Sequence, residues 1–249
     1  MKISVITVCY NCAATIEDAL QSVACQTHPD VEHVVVDGAS TDGTLGVVNR
    51  HRARIAKFVS EPDRGIYDAM NKGLSMAKGE IIGFLNADDV YANTGVLARV
   101  AGTMEREDLD ALFGDAEFIS VKNPQQIVRR YRSNRFRPDR IAWGWMPAHP
   151  TLFLRRRVFE RCGVFRTDYR IAGDFELVAR IFQGESLRYR YLPEVLVRMR
   201  TGGISTGGWR NTLLLNREVM RACRENGIST NILKIASKYP AKLVEFLRK

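Results

Sequence analysis

Residues 79–91 read GEIIGFLNADDVY, an apolar strand of roughly Ile81 to Leu85 that delivers the chain straight to Asn86, Asp88 and Asp89. Adjacent carboxylates repel each other, so their place at the end of a buried strand needs either solvent or a cation between them. Working outward, the same form recurs upstream. ISVITV (3–8), EHVVVDG (32–38) and KFVS (57–60) are short apolar runs. Between them lie helical patterns: one with Ile16, Ala19, Leu20 and Val23 on one face and Thr15 as N-cap, a second opened by TDGTLGVVNRH, and a third in IYDAMNKGLSMA. Strands alternating with helical periodicity predict βαβ units on a mainly parallel sheet, buried on both faces because the strands have no polar alternation.

In such a sheet, ligands bind beyond the carboxyl ends of the strands. The strand ends here are TVCYN, DGASTDGT, SEPDRG and NADD, which put Thr7, Tyr10, Asn11, Asp37, Asp42, Asp63, Arg64, Asn86, Asp88 and Asp89 along one rim. Asp, Asn and Gly also make good loops, and Asp37 in D-G-x-S is suited to an Asx turn. There is no G-x-G-x-x-G after the first strand and no G-K-[ST], so neither a Rossmann fingerprint nor a P-loop is present. An oxygen-rich pair such as Asp88 and Asp89 suits Mg²⁺ or Mn²⁺, which leave coordination positions open to phosphate.

The second half is less regular. ALFGDAEFI and QIVRRYR predict strands, GDFELVARIF a helix with Leu177, Val178 and Ile181 on a shared face, LRYRYL a strand, RTGGISTGGW a Gly-rich loop, and the remainder helices. The chain has 249 residues, 45% apolar and 26% charged, enough for one large α/β domain with a helical extension. Five cysteines and no export signal predict reduced thiols; Cys9 and Cys12 form a C-x-x-C without the second ligand pair that zinc requires. No apolar stretch is long enough to cross a bilayer, which predicts a cytoplasmic protein. The net charge of +9 points to an anionic partner. The tail 231–249 mixes apolar and basic residues, interrupted by Pro240, and predicts an anionic membrane surface as partner, or packing onto the domain.

The ordered segments SVITVCYN, VVVDGASTDGT, SEPDRGIYDAMNKGLSMAKGE, FLNADD, HPTLFLRR and GDFELVARI resemble a family 2 glycosyltransferase with the GT-A fold, of the kind that builds bacterial surface polysaccharides. The resemblance covers roughly residues 3–205. It implies a GT-A domain over 1–205, with a nucleotide-sugar half at 1–120 and an acceptor half at 121–205, followed by a helical extension at 206–249. It implies a metal-dependent, inverting hexosyltransferase. The donor is a nucleotide-sugar, a UDP-sugar by expectation, and the acceptor a glycan or a polyprenyl-diphosphate-linked sugar. The metal motif D-x-D falls on residues 86–88, with Asn86 in place of the first acid and Asp88 as main ligand beside Asp89. Asp37 takes a base-edge role, Thr7 and Tyr10 line the base pocket, and Asp63, Gly65 and Asn71 lie near the nucleotide or its sugar. Asp174 matches the catalytic base, with Gly173 where the family often carries Glu; Asp is also a common helix N-cap, and Glu176 is the alternative acid. His149 falls on the acceptor side, and Arg200 adds charge to the Gly-rich loop. Two other readings find less support. A sugar nucleotidyltransferase needs an N-terminal Gly-rich loop with Arg and Lys, which VITVCYNCAAT lacks; a nucleic-acid-binding module is prompted only by the charge and by RRYRSNRFR, so no nucleic acid is expected.

Overall fold

The computed structural model describes residues 1–184, 187–202 and 208–237. One sheet organises them, with strands β1 (Ile3–Cys9), β2 (Val31–Asp37), β3 (Lys57–Ser60), β4 (Ile81–Phe84), β5 (Asp89–Tyr91), β6 (Ala111–Ile119), β7 (Ile127–Tyr131), β8 (Phe153–Arg155) and β9 (Tyr189–Arg200). Their order is β3-β2-β1-β4-β8-β6-β9-β5, with β7 paired antiparallel to the second half of β6, off this path. The first four in that order are parallel, as the apolar strand–helix alternation predicts. Beyond β4 the sheet turns mixed: β8 pairs antiparallel with β4 and β6, while β9 runs parallel to β6 and antiparallel to β5.

Helices α1 (Ile16–Ala24), α2 (Thr44–Arg50), α3 (Ile66–Met76), α4 (Val96–Arg106), α5 (Arg156–Cys162), α6 (Gly173–Gly184), α7 (Trp209–Glu225) and α8 (Ile232–Ala236) cover both faces. Strand parity divides the core. Ile6 and Val8 of β1 join Met70, Val158, Phe175, Val219 and Ile235 on one side, while Ile3 and Val5 meet Val96, Leu97 and Val100 on the other. The apolar faces of α1 and α2, Ile16, Leu20, Val47 and Val48, close over Cys9 and Val35 on that second side. Helices α7 and α8 therefore share the main core: Val219, Ala222, Cys223 and Ile235 are buried in the same cluster as Ile6 and Phe84.

Several local expectations shift. Thr15 occupies the N-cap position of α1 but makes no side-chain cap bond; its hydroxyl donates back to the Cys12 carbonyl at 3.4 Å. The strand expected at LRYRYL continues past Pro193 to Arg200. Its pairing with β6 jumps from Phe113↔Tyr191 to Asp115↔Val195, so the proline sits in an irregularity where its missing N–H costs no ladder bond. That extension carries Arg200 to the rim. The short strands β5 and β8 were hidden in runs with no alternation. Of the Gly-rich stretch 200–208, residues 203–207 lie outside the described residues, as do 238–249 of the tail.

Candidate active site

The rim begins where β1, β2 and β3 end level, with Cys9 beside Asp37 and Asp37 beside Ser60. Asp37 is 0% exposed, and its carboxylate accepts from Ser40 N–H at 2.9 Å, Ser40 Oγ at 2.5 Å, Ser60 Oγ at 2.7 Å and Cys9 Sγ at 3.6 Å. The Asx turn weighed from D-G-x-S is not formed, since the backbone bond reaches Ser40, three residues on and not two; the buried carboxylate instead ties the 38–40 turn to Ser60 of β3. Thr7 is likewise buried, its hydroxyl 3.0 Å from Nε2 of buried His33, so it lines the sheet interior and not the rim. Burial lowers the His33 imidazole to about 4, because a dry site disfavours the cation.

What does reach the surface is Tyr10, 64% exposed, and Asp63. A Cβ built on Gly38 would lie 2.5 Å from Asp63 Oδ2 and 3.4 Å from Tyr10 Cδ2. The space a side chain at 38 would fill is taken by the Asp63 carboxylate, which any larger residue there would displace. Asp63 Oδ1 accepts from Gly65 N–H at 2.8 Å, and Gly65, at φ +114°, turns the chain into α3. The loop after β1 is fixed to that before α2. Asn11, at φ +48°, donates its N–H to Ser40 Oγ at 2.8 Å, and its Oδ1 accepts from Thr41 N–H at 2.9 Å. The thiols of Cys9 and Cys12 are free; hydrogen bonding to Cys12 and burial push the Cys9 thiol up.

At the end of β4 the two acids separate in depth. Asp89 starts β5 and is buried, while Asp88 is half-buried at the rim. Burial raises both carboxyls, and the Asp88 charge raises Asp89 further; Asn86, the Arg200 backbone N–H and the Arg200 charge act in the opposite direction on Asp89. Asn86 Nδ2 lies 3.4 Å from Asp89 Oδ2. Arg200 is ion-paired to Asp18, and its Nη1 is buried without a partner. The donor set of two carboxylates and one amide oxygen, without thiol or imidazole, fits a hard divalent cation, whose charge would relieve the mutual repulsion. Among the described residues no cluster of three or more His, Cys, Asp or Glu side chains that could hold a metal is present.

The third part lies across Phe84, two residues before Asn86. Its ring stacks on His149 at 5.6 Å, and Phe165 stands edge-on to both, at 5.1 Å and 5.8 Å. His149 and Asp174 face each other electrostatically; burial lowers the imidazole and raises the carboxyl, and each opposes the other's shift. Asp174 lies in the first turn of α6, where its Oδ1 accepts from Phe175 N–H at 2.8 Å and lies 3.4 Å from the Tyr67 hydroxyl. Tyr67 donates mainly to the Ile171 carbonyl, at 2.6 Å. Its ring also explains Gly173: a Cβ there would come within 2.7 Å of the ring carbons, so the acid common in the family is excluded by contact.

Two candidates have other partners. Glu176 is buried and bound to Arg180 (Oε1 to Nε 3.0 Å, Oε2 to Nη2 2.9 Å). Asn71 clamps Phe165, donating to its carbonyl at 2.8 Å and accepting from its N–H at 3.0 Å. Sequence reasoning passed over Tyr67 and Glu218. The buried Glu218 carboxylate of α7 accepts the N–H groups of Arg170, Ile171 and Ala172, each at 2.8 Å, and so fixes the loop before Asp174. No local pattern announces it; a lone acid on the apolar face of an otherwise basic helix was the available sign.

Residues 4–163 match Glycosyl transferase family 2. The chain is 33% identical over 216 residues to the PGL/p-HBAD biosynthesis glycosyltransferase of Mycobacterium bovis (strain BCG / Pasteur 1173P2), an overlap covering 85% of this chain and 80% of that relative. Its fold resembles S. aureus TarS 1-349 in complex with UDP-GlcNAc, with a TM-score of 0.71 and 22% identity over 89% of this chain and 66% of that one. It also resembles the mannosyltransferase PcManGT from Pyrobaculum calidifontis in complex with GDP-Man and Mn2+, at 0.64 and 24% over 88% and 64%. The chain thus spans less than two thirds of these solved chains, which establish its α/β GT-A architecture.

Proposed function

We infer, from the premise that the chain belongs to glycosyl transferase family 2, that it is an inverting enzyme taking a hexose from a UDP-sugar to a lipid-linked or glycan acceptor of the cell surface. What supports this reading is the set of groups at adjoining strand ends and beside them: the Tyr10 ring with Asp63, Asp88 with Asp89 after β4, and Asp174 facing His149, whose ring stacks on Phe84 of β4. The donor class is supported by the UDP-GlcNAc bound in the TarS structure. The acceptor class is supported by the mycobacterial relative's role in PGL/p-HBAD biosynthesis.

Tyr10 offers its exposed ring to the base. We assign the base-edge acceptor to Asp63, whose Oδ2 faces the same space, and keep Asp37 as the residue that shapes the turn beneath it. Asp88, backed by Asp89 and Asn86, would hold Mg²⁺ or Mn²⁺, which when bound neutralises charge on the departing diphosphate. Arg200 adds positive charge at the same place. Asp174 takes the proton of the acceptor hydroxyl as it attacks the anomeric carbon. Its raised affinity for protons, from burial, suits a general base. His149, held uncharged by burial, lines the acceptor side.

No helix among the described residues is long and apolar enough to cross a membrane; we place the enzyme at the cytoplasmic membrane face, where lipid-linked acceptors are reached from water. The test is donor hydrolysis and protection from thermal unfolding across nucleotide sugars with Mn²⁺. UDP-sugars should give the largest stabilisation; a response only to guanosine or thymidine donors would refute the uridine assignment.

A further inference from the structure

We propose that the outward face of α7 is a docking surface for an anionic phospholipid bilayer. In a helix successive residues turn by about 100°, so the exposed Trp209, Leu213, Arg210, Arg217 and Arg224 fall within about 100° of arc, with Met220 among them half-buried against the core. Trp209 is 68% and Leu213 51% exposed. The opposite side of the helix carries the buried Glu218, Val219, Ala222 and Cys223. The face has apolar anchors interleaved with arginines, the composition of an interfacial helix.

Its charge is uncompensated. The only acids of α7 are Glu218 and Glu225. Glu218 is turned inward onto the 170–172 loop, and Glu225 is engaged by Arg166, Tyr169 and Arg221. No acid among the described residues pairs with Arg217 or Arg224. Between them opens a groove of about 540 Å³, lined by Arg217, Met220, Arg221, Arg224 and the 227–230 turn, wide enough for a phosphate headgroup. The turn leads into α8, whose Ile232 and Leu233 are exposed and whose Lys234 lies 5.8 Å from the Trp143 ring. A surface built to follow a nucleic-acid backbone has use for the arginines and the tryptophan, but not for exposed Leu213 and Leu233; an anionic bilayer has use for both sets, its headgroups for the arginines and its acyl boundary for the apolar side chains. The inference does not depend on the donor or base assignments above.

The test is co-sedimentation of the full chain with vesicles of phosphatidylcholine alone and of equimolar phosphatidylcholine and phosphatidylglycerol. Each arginine near an anionic surface contributes about fivefold to partitioning, so Arg217→Gln with Arg224→Gln should lower binding to anionic vesicles about 25-fold, and the double Glu variant more. Trp209→Ser with Leu213→Ser should weaken binding while leaving its salt dependence unchanged. Arg52→Gln with Arg54→Gln, exposed beside α2 on the opposite face of the sheet, is the charge-matched control and should bind as the parent does. Hydrolysis of soluble donor should be unchanged in the α7 variants, which reports that they fold. The proposal is overturned if the parent shows no preference for anionic vesicles, or if the Gln variant sediments like the parent. It is equally overturned if the control pair falls as far, since the effect is then net charge, or if the Gln variant loses only binding to a uridine-rich RNA oligomer.

Discussion

Replacing Glu218 tests whether a helix far along the chain sets the geometry of the proposed base. Its carboxylate receives three backbone N–H groups, each at 2.8 Å, from Arg170, Ile171 and Ala172. Hydrogen bonds to a charged acceptor contribute about 1.5–3 kcal/mol each, and a buried donor left without a partner costs about 1–3 kcal/mol. Glu218→Gln keeps one acceptor oxygen but turns an NH₂ toward a donor, so about 2–3 kcal/mol should be lost. Glu218→Ala orphans all three donors; water entering the vacated space limits the loss to about 4 kcal/mol. Because the Ile171 carbonyl anchors the Tyr67 hydroxyl, and that hydroxyl lies 3.4 Å from Asp174, release of the loop should also misplace the base. A displacement of about 1 Å at a reacting group can cost about a hundredfold in rate. The assay pairs urea unfolding with initial rates, at a temperature where both variants remain folded. Stability and kcat should fall together from wild type through Gln to Ala, with donor KM unchanged. An alanine variant within about 0.5 kcal/mol of wild type, the ordinary range for a surface substitution, would refute the bracket. So would one that loses stability but keeps full turnover, for the link to Asp174.

Asp174→Asn should cut turnover by about a hundredfold to ten-thousandfold while melting temperature and donor affinity stay near wild type; retained transfer would remove Asp174 from the chemistry. Asp63→Asn should weaken UDP binding with little loss of stability, and Asp37→Asn should do the reverse, since Asp37 holds Ser40 and Ser60; equilibrium titration and melting of the pair decide between them. Asp88→Ala should abolish the Mn²⁺-dependent part of nucleotide affinity, and unchanged activity in excess EDTA would exclude the cation altogether. His33 titrates at about 4 in the fold against 6.5 in the unfolded chain, so the unfolded state binds more protons between those values and stability is lost as pH falls from 6.5 toward 4, by up to about 3 kcal/mol. His33→Gln should flatten that part of the pH–stability curve, and an unchanged slope would assign the acid lability elsewhere.

The rim was legible in the sequence because its cause is local: uniformly apolar strands, each followed at once by Asp, Asn and Gly. Depth was not. Asp37 and Asp63 look alike along the chain, and only their depth separates them: Asp37 is fully buried against Ser40 and Ser60, while Asp63 is half-buried, with Oδ1 on the Gly65 N–H and Oδ2 beside Gly38. Thr7 shares strand parity with Val5 and Cys9, which turns it to the interior, but its partner His33 comes from another strand. Asn71 and Phe165, and Glu218 and the 170–172 loop, pair across long separations that leave no periodicity to find. Pro193 concealed the second half of β9, because a proline in an apolar run signals an end unless an irregularity absorbs it. The outward face of α7 is periodic, yet its alternating Arg and apolar residues are spread over a helix whose buried side competes for the same pattern.

The bracket made by Glu218 also sets an order in time. During synthesis the groups proposed to bind nucleotide, from Tyr10 through Asp89, emerge well before α7, whereas the 170–172 loop that leads into Asp174 gains its Glu218 bonds only once α7 is made. On the proposed mechanism, the position from which a hydroxyl would be deprotonated is thus set by a contact that closes late in the chain.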